Sequence, residues 1–272
     1  MSPSGIHVNK TVIFFILAIT VIIVVYKNYK YIGTFLKSEE KKEGMTSIPQ
    51  DALDKAKTLK VEERKVKVEI KDGKSVAIVV REVVPSLGAG DILFLHGQVF
   101  SSKNWEEIHT LTIFSALGYH PVAVDLPDGA KTESEKTDVG DKGLFLEKLI
   151  SALKLTAPVI VSPSMSGGYS LPYLFKDPSA VLKRSRGFVP VAPVATGDYT
   201  AEDYKNLHIP TAIVYGEKDQ TIGPVSTKNL QNLPDSEKHE IKGAGHPAWI
   251  DEPEEFHNIL YKFLRKNLST AP

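Results

Sequence analysis

The stretch that decides the fold is VIVSPSMSGGYS, residues 159–170. Its three apolar residues predict a strand buried on both faces, and the small residues after them predict a tight turn into a helix. Such a turn needs small residues two positions before and after its central serine, here Ser162 and Ser166 around Ser164. The pattern predicts that Ser164 is a nucleophile and that the N–H of Met165 faces a developing oxyanion.

The two flanking serines leave alternatives open, because glycine is the usual residue at both positions. Ser166 as the nucleophile would keep Gly168 two positions later, but it would move the turn into the helix. Ser162 is the third hydroxyl of the segment, and a serine-rich helix start is also common as an N-cap without chemistry. Ser164 is favoured because its position in the sequence after the apolar run is the one that the nucleophile has in this kind of turn.

Similar apolar runs recur on both sides of this segment, at 92–95, 122–124, 188–192 and 212–215. Unalternated runs of this length suit strands of a parallel sheet, and helical spacings such as Phe145, Leu149 and Leu153 separate them. An alternating pattern at 66–70 followed by Asp72-Gly73 adds two antiparallel strands at the start. The chain is therefore predicted to form a mostly parallel, doubly wound α/β sheet with helices on both faces.

An acid and a histidine follow the last of these strands. Asp219 ends the segment GEKD after the run at 212–215, and His246 lies in the glycine-hinged loop GAGHP. The chain order Ser164, Asp219, His246 is that of the charge-relay triad in the α/β-hydrolase fold. Asp198, one strand earlier, is the alternative acid.

The segment His96-Gly97-Gln98 follows the run at 92–95, where this fold builds the second half of its oxyanion hole. Gly97 lets the backbone approach the reacting carbonyl, and the N–H of Gln98 is predicted to face it. His96 is predicted to brace the loop rather than to act as a base. About fifteen residues separate Pro193 from the next strand, too few for a cap domain, so we expect an open site suited to a small acyl group on a larger carrier.

Composition excludes several classes of function. The 33 basic and 33 acidic residues of the 272-residue chain balance, which gives no electrostatic footprint for nucleic acid. The chain has no cysteine, and it carries no G-x-G-x-x-G, P-loop or H-E-x-x-H motif, so we expect neither a cofactor nor a metal.

The segment TVIFFILAITVIIVVY, residues 11–26, has no charge and lies between Lys10 and Lys27. At ~1.5 Å per residue a helix here would span about 24 Å, enough for a membrane anchor with flanking lysines at the interface. A cleaved signal peptide and a buried helix are the alternatives. The predicted organisation is a tail at 1–10, an anchor with its interfacial flank at 11–32, a charged linker at 33–60 and the hydrolase domain at 61–272.

Lysines after the anchor outnumber the single Lys10 before it, which favours a cytosolic hydrolase domain on a single-pass membrane protein. The opposite orientation stays open, because the bias is small.

Dense motifs along the chain, including the turn at Ser164, resemble the α/β-hydrolase domain-containing protein 14 family. They are LFLHG at 93–97, VAVDLP at 122–127, SPSMSGGYSLP at 162–172, GFVPVAP at 187–193, VYGEKD at 214–219 and KGAGHPAWIDEPEE at 242–255. The apolar N-terminal segment is more similar to the membrane-bound A form than to the soluble B form. The resemblance implies Ser164, Asp219 and His246 as the triad and short-acyl hydrolysis or transfer as the activity, with no cofactor. Asp128 departs from the glycine that relatives tend to have after DLP. A binding module that keeps the fold without turnover is the competing hypothesis.

Overall fold

The computed structural model describes residues 47–70, 73–85 and 88–268. The predicted anchor at 11–26, its flanks and the first half of the predicted linker lie outside this part of the chain. Among the residues described, no helix combines the length and the apolar character that crossing a membrane requires.

One sheet of eight strands organises the described residues. The strands are β1 Glu62–Glu69, β2 Ser75–Glu82, β3 Asp91–Phe94, β4 His120–Val124, β5 Val159–Pro163, β6 Gly187–Val191, β7 Thr211–Gly216 and β8 Ser236–Ile241. Their order across the sheet is β1-β2-β4-β3-β5-β6-β7-β8. β2 runs antiparallel to β1 and β4, and all the other neighbours are parallel. The predicted fold class is confirmed.

Helices cover both faces of the sheet. They are α1 Gln50–Ala56, α2 Ser102–Glu107, α3 Thr110–Ala116, α4 Lys142–Ala152, α5 Gly167–Phe175, α6 Val181–Arg184, α7 Ala201–Lys205, α8 Ile222–Leu230, α9 Ala248–Asp251 and α10 Pro253–Leu268. Only α7 and a short 3-10 turn lie between β6 and β7, where a cap domain would be inserted.

Alternate residues of the central strands enter two separate apolar layers. On β3, Leu93 packs into the layer that contains α4 and α5, while Ile92 and Phe94 pack into the layer that contains α3 and α10. On β5, Ile160 and Val161 divide in the same way. Because both faces are covered, these strands read as continuous apolar runs in the sequence.

In the sequence Trp105, Ile108, Leu111 and Phe114 recur at steps of three, a helical spacing, but residues 102–116 form two helices rather than one. α2 and α3 are separated at His109, which has a left-handed φ of 59°. The apolar period continues across the break, since Trp105, Leu111 and Phe114 are all fully buried. Periodicity alone therefore did not reveal where the helix is interrupted.

The compact unit begins at Ile48, ahead of the boundary at 61 that the sequence suggested. Ala52 and Ala56 of α1 are buried in the same apolar layer as α3, and the Ile48 N–H donates to Asn258 Oδ1 of α10 at 3.2 Å. The second half of the segment assigned to the linker is thus part of the hydrolase unit. Both buried residues are alanines, which add little to the hydrophobicity of the segment, so the sequence did not indicate that this helix is buried.

Candidate active site

The segment 162–168 forms a sharp turn between β5 and α5. Ser164 has a left-handed φ of 48°, the conformation that aims a side chain away from the turn. The Val194 N–H donates to the Ser164 carbonyl at 2.9 Å and holds the turn against the end of β6. A side chain at Gly167 would meet the Val194 carbonyl at 2.3 Å, so the helix start needs a glycine there.

The two flanking serines are fully buried and hydrogen-bond to each other. Ser162 Oγ lies 3.0 Å from Ser166 Oγ and 2.7 Å from Ser170 Oγ, and Ser166 Oγ donates to the Pro163 carbonyl at 2.8 Å. Serine in place of glycine puts additional hydroxyl groups into the turn, and this network gives those hydroxyls hydrogen-bond partners. Of the three serines that the sequence left as alternatives, Ser164 alone hydrogen-bonds to a histidine in the residues described.

The structure brings Ser164, His246 and Asp219 into one hydrogen-bonded line. His246 Nε2 lies 2.9 Å from Ser164 Oγ, and His246 Nδ1 lies 2.6 Å from Asp219 Oδ2. An ionised carboxylate only accepts, so Nδ1 carries the proton, and Nε2 is left to accept from the serine hydroxyl. This is the arrangement in which an imidazole can remove a hydroxyl proton.

Asp219 is held by backbone groups as well as by the imidazole. Its Oδ1 accepts from the N–H and the hydroxyl of Thr221 at 2.9 and 2.8 Å, and its Oδ2 also accepts from the Gly223 N–H at 3.0 Å. Burial opposes ionisation, but the bonds from His246 and Thr221 outweigh it and keep the Asp219 pKa below its usual range. The group is therefore a carboxylate at neutral pH.

The loops that carry the acid and the histidine touch through their backbones. A Cβ at Gly216 would lie 2.0 Å from the Gly245 carbonyl, and the Lys218 N–H donates to the Ala244 carbonyl at 2.8 Å. The Gly245 N–H donates to Asp251 Oδ2 at 2.7 Å. These contacts fix the distance between the carboxylate and the imidazole.

Two backbone N–H groups close to Ser164 have no acceptor among the described residues. Met165 is the second residue of the helical turn that starts at Ser164, so its N–H has no acceptor within the helix. The Gln98 N–H has no acceptor among the described residues, and a Cβ at the adjacent Gly97 would lie 3.4 Å from the Ser164 Cβ. Met165 follows Ser164 directly and Gln98 follows Gly97, so both residues named from the sequence are neighbours of the serine, and their role as oxyanion donors stays a prediction.

His96 lies beneath this loop and contacts a second one. The Leu126 N–H donates to His96 Nε2 at 2.8 Å, so the proton is on Nδ1, which donates to the Gly97 carbonyl at 2.8 Å. Burial lowers the pKa of His96, so the ring is neutral. The ring links the ends of β3 and β4.

Asp198, the alternative acid, is exposed in the 3-10 turn Thr196–Asp198 and makes no side-chain hydrogen bond to His246. Sequence reasoning missed Thr221, whose place two residues after Asp219 is a common self-bonding pattern for Asp and could have been noticed. It also missed the aromatic wall beside Gly97, where the Phe100 and Trp249 rings lie 5.2 Å apart. No signal in the sequence joins those two residues.

The described residues include no group of three or more His, Asp or Glu side chains arranged to hold a metal ion.

Comparison with known proteins agrees with this fold. The chain is 43% identical to ABHD14A of Danio rerio over 189 residues, which cover 68% of this chain and 67% of the relative. It is 40% identical over 195 residues to human ABHD14B, a proposed protein-lysine deacylase, covering 70% and 90%. No protein-family model matches the chain.

Solved structures show the same fold at lower identity. A CIB-like hydrolase from Thermoplasma acidophilum superposes with a TM-score of 0.65 at 24% identity, covering 76% of this chain and all of that one. The carboxylesterase CesB of Bacillus subtilis gives 0.62 at 14% identity, covering 79% and 96%.

Fold and relatives together define the chain as an α/β hydrolase. The motifs at 93–97, 162–172 and 242–255 already resembled one branch of that class, and the identities of about 40% agree with them. The chain belongs to the ABHD14 family.

Proposed function

We propose that this hydrolase cleaves or transfers a short acyl group through a covalent acyl-enzyme on Ser164. The contact that carries the proposal is the line from Ser164 Oγ through His246 to Asp219, with distances of 2.9 and 2.6 Å. Asp219 has a lowered pKa and is a carboxylate, so it stabilises the imidazolium that forms when His246 takes the serine proton.

In the first half of the reaction, Ser164 Oγ bonds to the acyl carbon as its proton moves to His246 Nε2. The carbonyl oxygen becomes an oxyanion, which the N–H groups of Gln98 and Met165 stabilise. When the intermediate collapses, the bond to the leaving group breaks and His246 gives that group its proton. Water, or an acceptor nucleophile, then repeats the steps in reverse and frees the serine.

The proposed substrate is a short acyl ester or amide on a larger carrier. Two observations support an open site: the short connection between β6 and β7, and the exposure of Gln98 and Val99 at its mouth. A relative at 40% identity is a proposed protein-lysine deacylase, so acyl-lysine peptides belong in the first substrate panel.

The test is covalent labelling of the full chain with a fluorophosphonate, followed by turnover of an acyl-ester and acyl-lysine panel. We expect wild type to be labelled and Ser164→Ala to lose both labelling and turnover, while Ser179→Ala, an exposed serine, keeps them. Equal labelling of wild type and Ser164→Ala would mean that the fold is retained as a binding module without this chemistry.

We further propose that residues 11–26 anchor the enzyme in a lipid bilayer with the hydrolase domain in the cytosol. Support comes from the uncharged length of the segment and from Lys27, Lys30 and Lys37 after it.

A further inference from the structure

The loop that carries Gln98 is held by the loop after β4. Gln98 Nε2 donates to the Asp128 carbonyl at 2.9 Å, and the Ala130 N–H donates to the Gln98 carbonyl at 2.7 Å. Gln98 is thus held by hydrogen bonds to both its side chain and its backbone. The position of its N–H depends on where residues 128–130 lie.

The Asp128 carboxylate ties those residues to two helices. Tyr169 Oη of α5 donates to Asp128 Oδ1 at 2.6 Å, and Lys142 Nζ of α4 donates to Asp128 Oδ2 at 2.6 Å. The Tyr169 ring is fully buried, and the Lys142 ammonium lies 5.0 Å from its centroid. Helix α5 is the one that follows the 3-10 turn Ser164–Ser166.

The charges around Asp128 favour this contact. Lys142 is the first residue of α4, where the partial positive charge of the helix end disfavours a cation unless an anion lies nearby. Burial opposes the ionisation of Asp128, yet the bonds from Lys142 and Tyr169 outweigh it and lower the Asp128 pKa. Burial and the bond to Asp128 raise the pKa of Tyr169, so its hydroxyl stays a donor.

The two N–H groups of the oxyanion site come from separate parts of the chain. Met165 is in the 3-10 turn that leads into α5, whereas Gln98 is on a loop, and both must lie within hydrogen-bond distance of one oxygen. The path Gln98–Asp128–Tyr169 joins the loop to the helix through two hydrogen bonds. If this loop were displaced, the Gln98 N–H would bind the oxyanion less strongly, while the triad would stay in place.

We propose that Asp128 is a positioning residue of the oxyanion site, whose carboxylate, fixed by Tyr169 and Lys142, sets the Gln98 N–H relative to the Met165 N–H. The inference rests on the proposed function, and it extends that function to a residue outside the triad.

The experiment uses the full chain, a chromogenic acyl ester, and a trifluoromethyl ketone that forms a tetrahedral adduct with the serine. Asp128→Ala should lower kcat about 10-fold and Tyr169→Phe about 3-fold, less than the loss of a whole oxyanion donor, while KM changes less than 2-fold. The inhibition constant of the ketone should rise in proportion to the loss of kcat/KM. Because Tyr169 acts through Asp128, the double variant should match Asp128→Ala.

Asp138→Ala is the matched control, since Asp138 lines the same cleft but, among the described residues, its side chain bonds only the nearby Gly140 N–H. Its kcat and ketone affinity should equal those of wild type. If Asp128→Ala does not fold, Tyr169→Phe decides, because phenylalanine keeps the ring and removes only the hydroxyl. The proposal is wrong if both variants keep kcat and ketone affinity within 2-fold of wild type, or if kcat falls and the ketone affinity does not. Turnover by Ser164→Ala at the wild-type rate would instead overturn the proposed function.

Discussion

At the scale of single residues, the backbone of Ser164 shows how the site is built. A non-glycine residue at a φ of 48° is strained by about 1–3 kcal/mol, and such strain persists only where neighbouring contacts impose it. Here the Val194 N–H and the close approach of Gly167 to the Val194 carbonyl impose it. The strained backbone conformation directs the Ser164 hydroxyl toward His246. The buried hydroxyls of Ser162 and Ser166 hydrogen-bond to each other.

Asp219→Asn tests the acid at the same scale. An amide cannot hold the His246 tautomer as a carboxylate does, so kcat should fall roughly 10³–10⁴-fold while thermal unfolding changes little. The measurement is steady-state turnover of an acyl ester by the full chain. Asp198→Asn is the control and should stay within about 2-fold of wild type, given that Asp198 is exposed and away from the imidazole. A larger loss in Asp198→Asn than in Asp219→Asn would contradict the assignment.

At the scale of elements, local patterns predicted the strands better than their connections. The apolar runs before Asp219 and Ser164 became β7 and β5, because strands covered on both faces need continuous apolar residues. The break at His109 could not be predicted, since the buried period continues through it. Asp128 was noted as a departure, but its partners Tyr169 and Lys142 are distant in sequence and only the fold brings them to it.

Gly216→Ala tests the contact between the loop of the acid and the loop of the histidine. A methyl group there would lie 2.0 Å from the Gly245 carbonyl, so the His246 loop must move. We expect activity to fall at least 10-fold and stability to fall by about 2 kcal/mol, measured by turnover and by chemical unfolding. Gly197→Ala is the matched control, because nothing lies within 4 Å of its added methyl. Wild-type activity in Gly216→Ala would show that the position of the His246 loop does not depend on this contact.

His120 links three strands at the end of the sheet opposite to the site. Its Nδ1 lies 3.0 Å from Asp91 Oδ1 at the start of β3, and its Nε2 lies 3.1 Å from Glu82 Oε2 at the end of β2, which also binds Arg64. The bonds to Asp91 and Glu82 raise the His120 pKa to about 9, and the bond from His120, against burial, lowers the Glu82 pKa to about 2.

These shifts set the pH range in which the cluster stabilises the fold. A raised histidine pKa gives stability that is complete below about 6.5 and is lost as pH rises toward 9, whereas the lowered Glu82 pKa gives stability that is complete above about 4.5 and is lost toward pH 2. The difference in Tm between wild type and His120→Gln should therefore be greatest near pH 5–6, at a few degrees, and should shrink between pH 6.5 and 9. If the difference in Tm stayed constant between pH 6.5 and 9, it would contradict the assignment of a positive charge to His120 in the folded protein.

At the scale of the whole molecule, the chemistry and the structural charges occupy opposite ends of one sheet. Ser164, Asp219 and His246 follow the carboxyl ends of β5, β7 and β8, as open α/β sheets require of their ligand sites. The His120 cluster lies at the other end. The compact unit from Ile48 onward therefore contains every residue that the proposed reaction uses.

Because the proposed anchor supplies no residue to the proposed reaction, substitutions in it test the anchor while the residues of the site stay unchanged. Two arginines within residues 11–26, Ile16→Arg and Ile22→Arg, should each cost about 2.5–3.5 kcal/mol of membrane insertion. We expect wild type to stay in the membrane pellet after carbonate extraction and the double variant to move to the supernatant with its acyl-ester turnover retained. A C-terminal tag on wild type should be cut by protease added to intact microsomes, because the lysines after residue 26 favour a cytosolic domain. A protected tag would reverse the orientation, and extraction of wild type by carbonate would exclude the anchor.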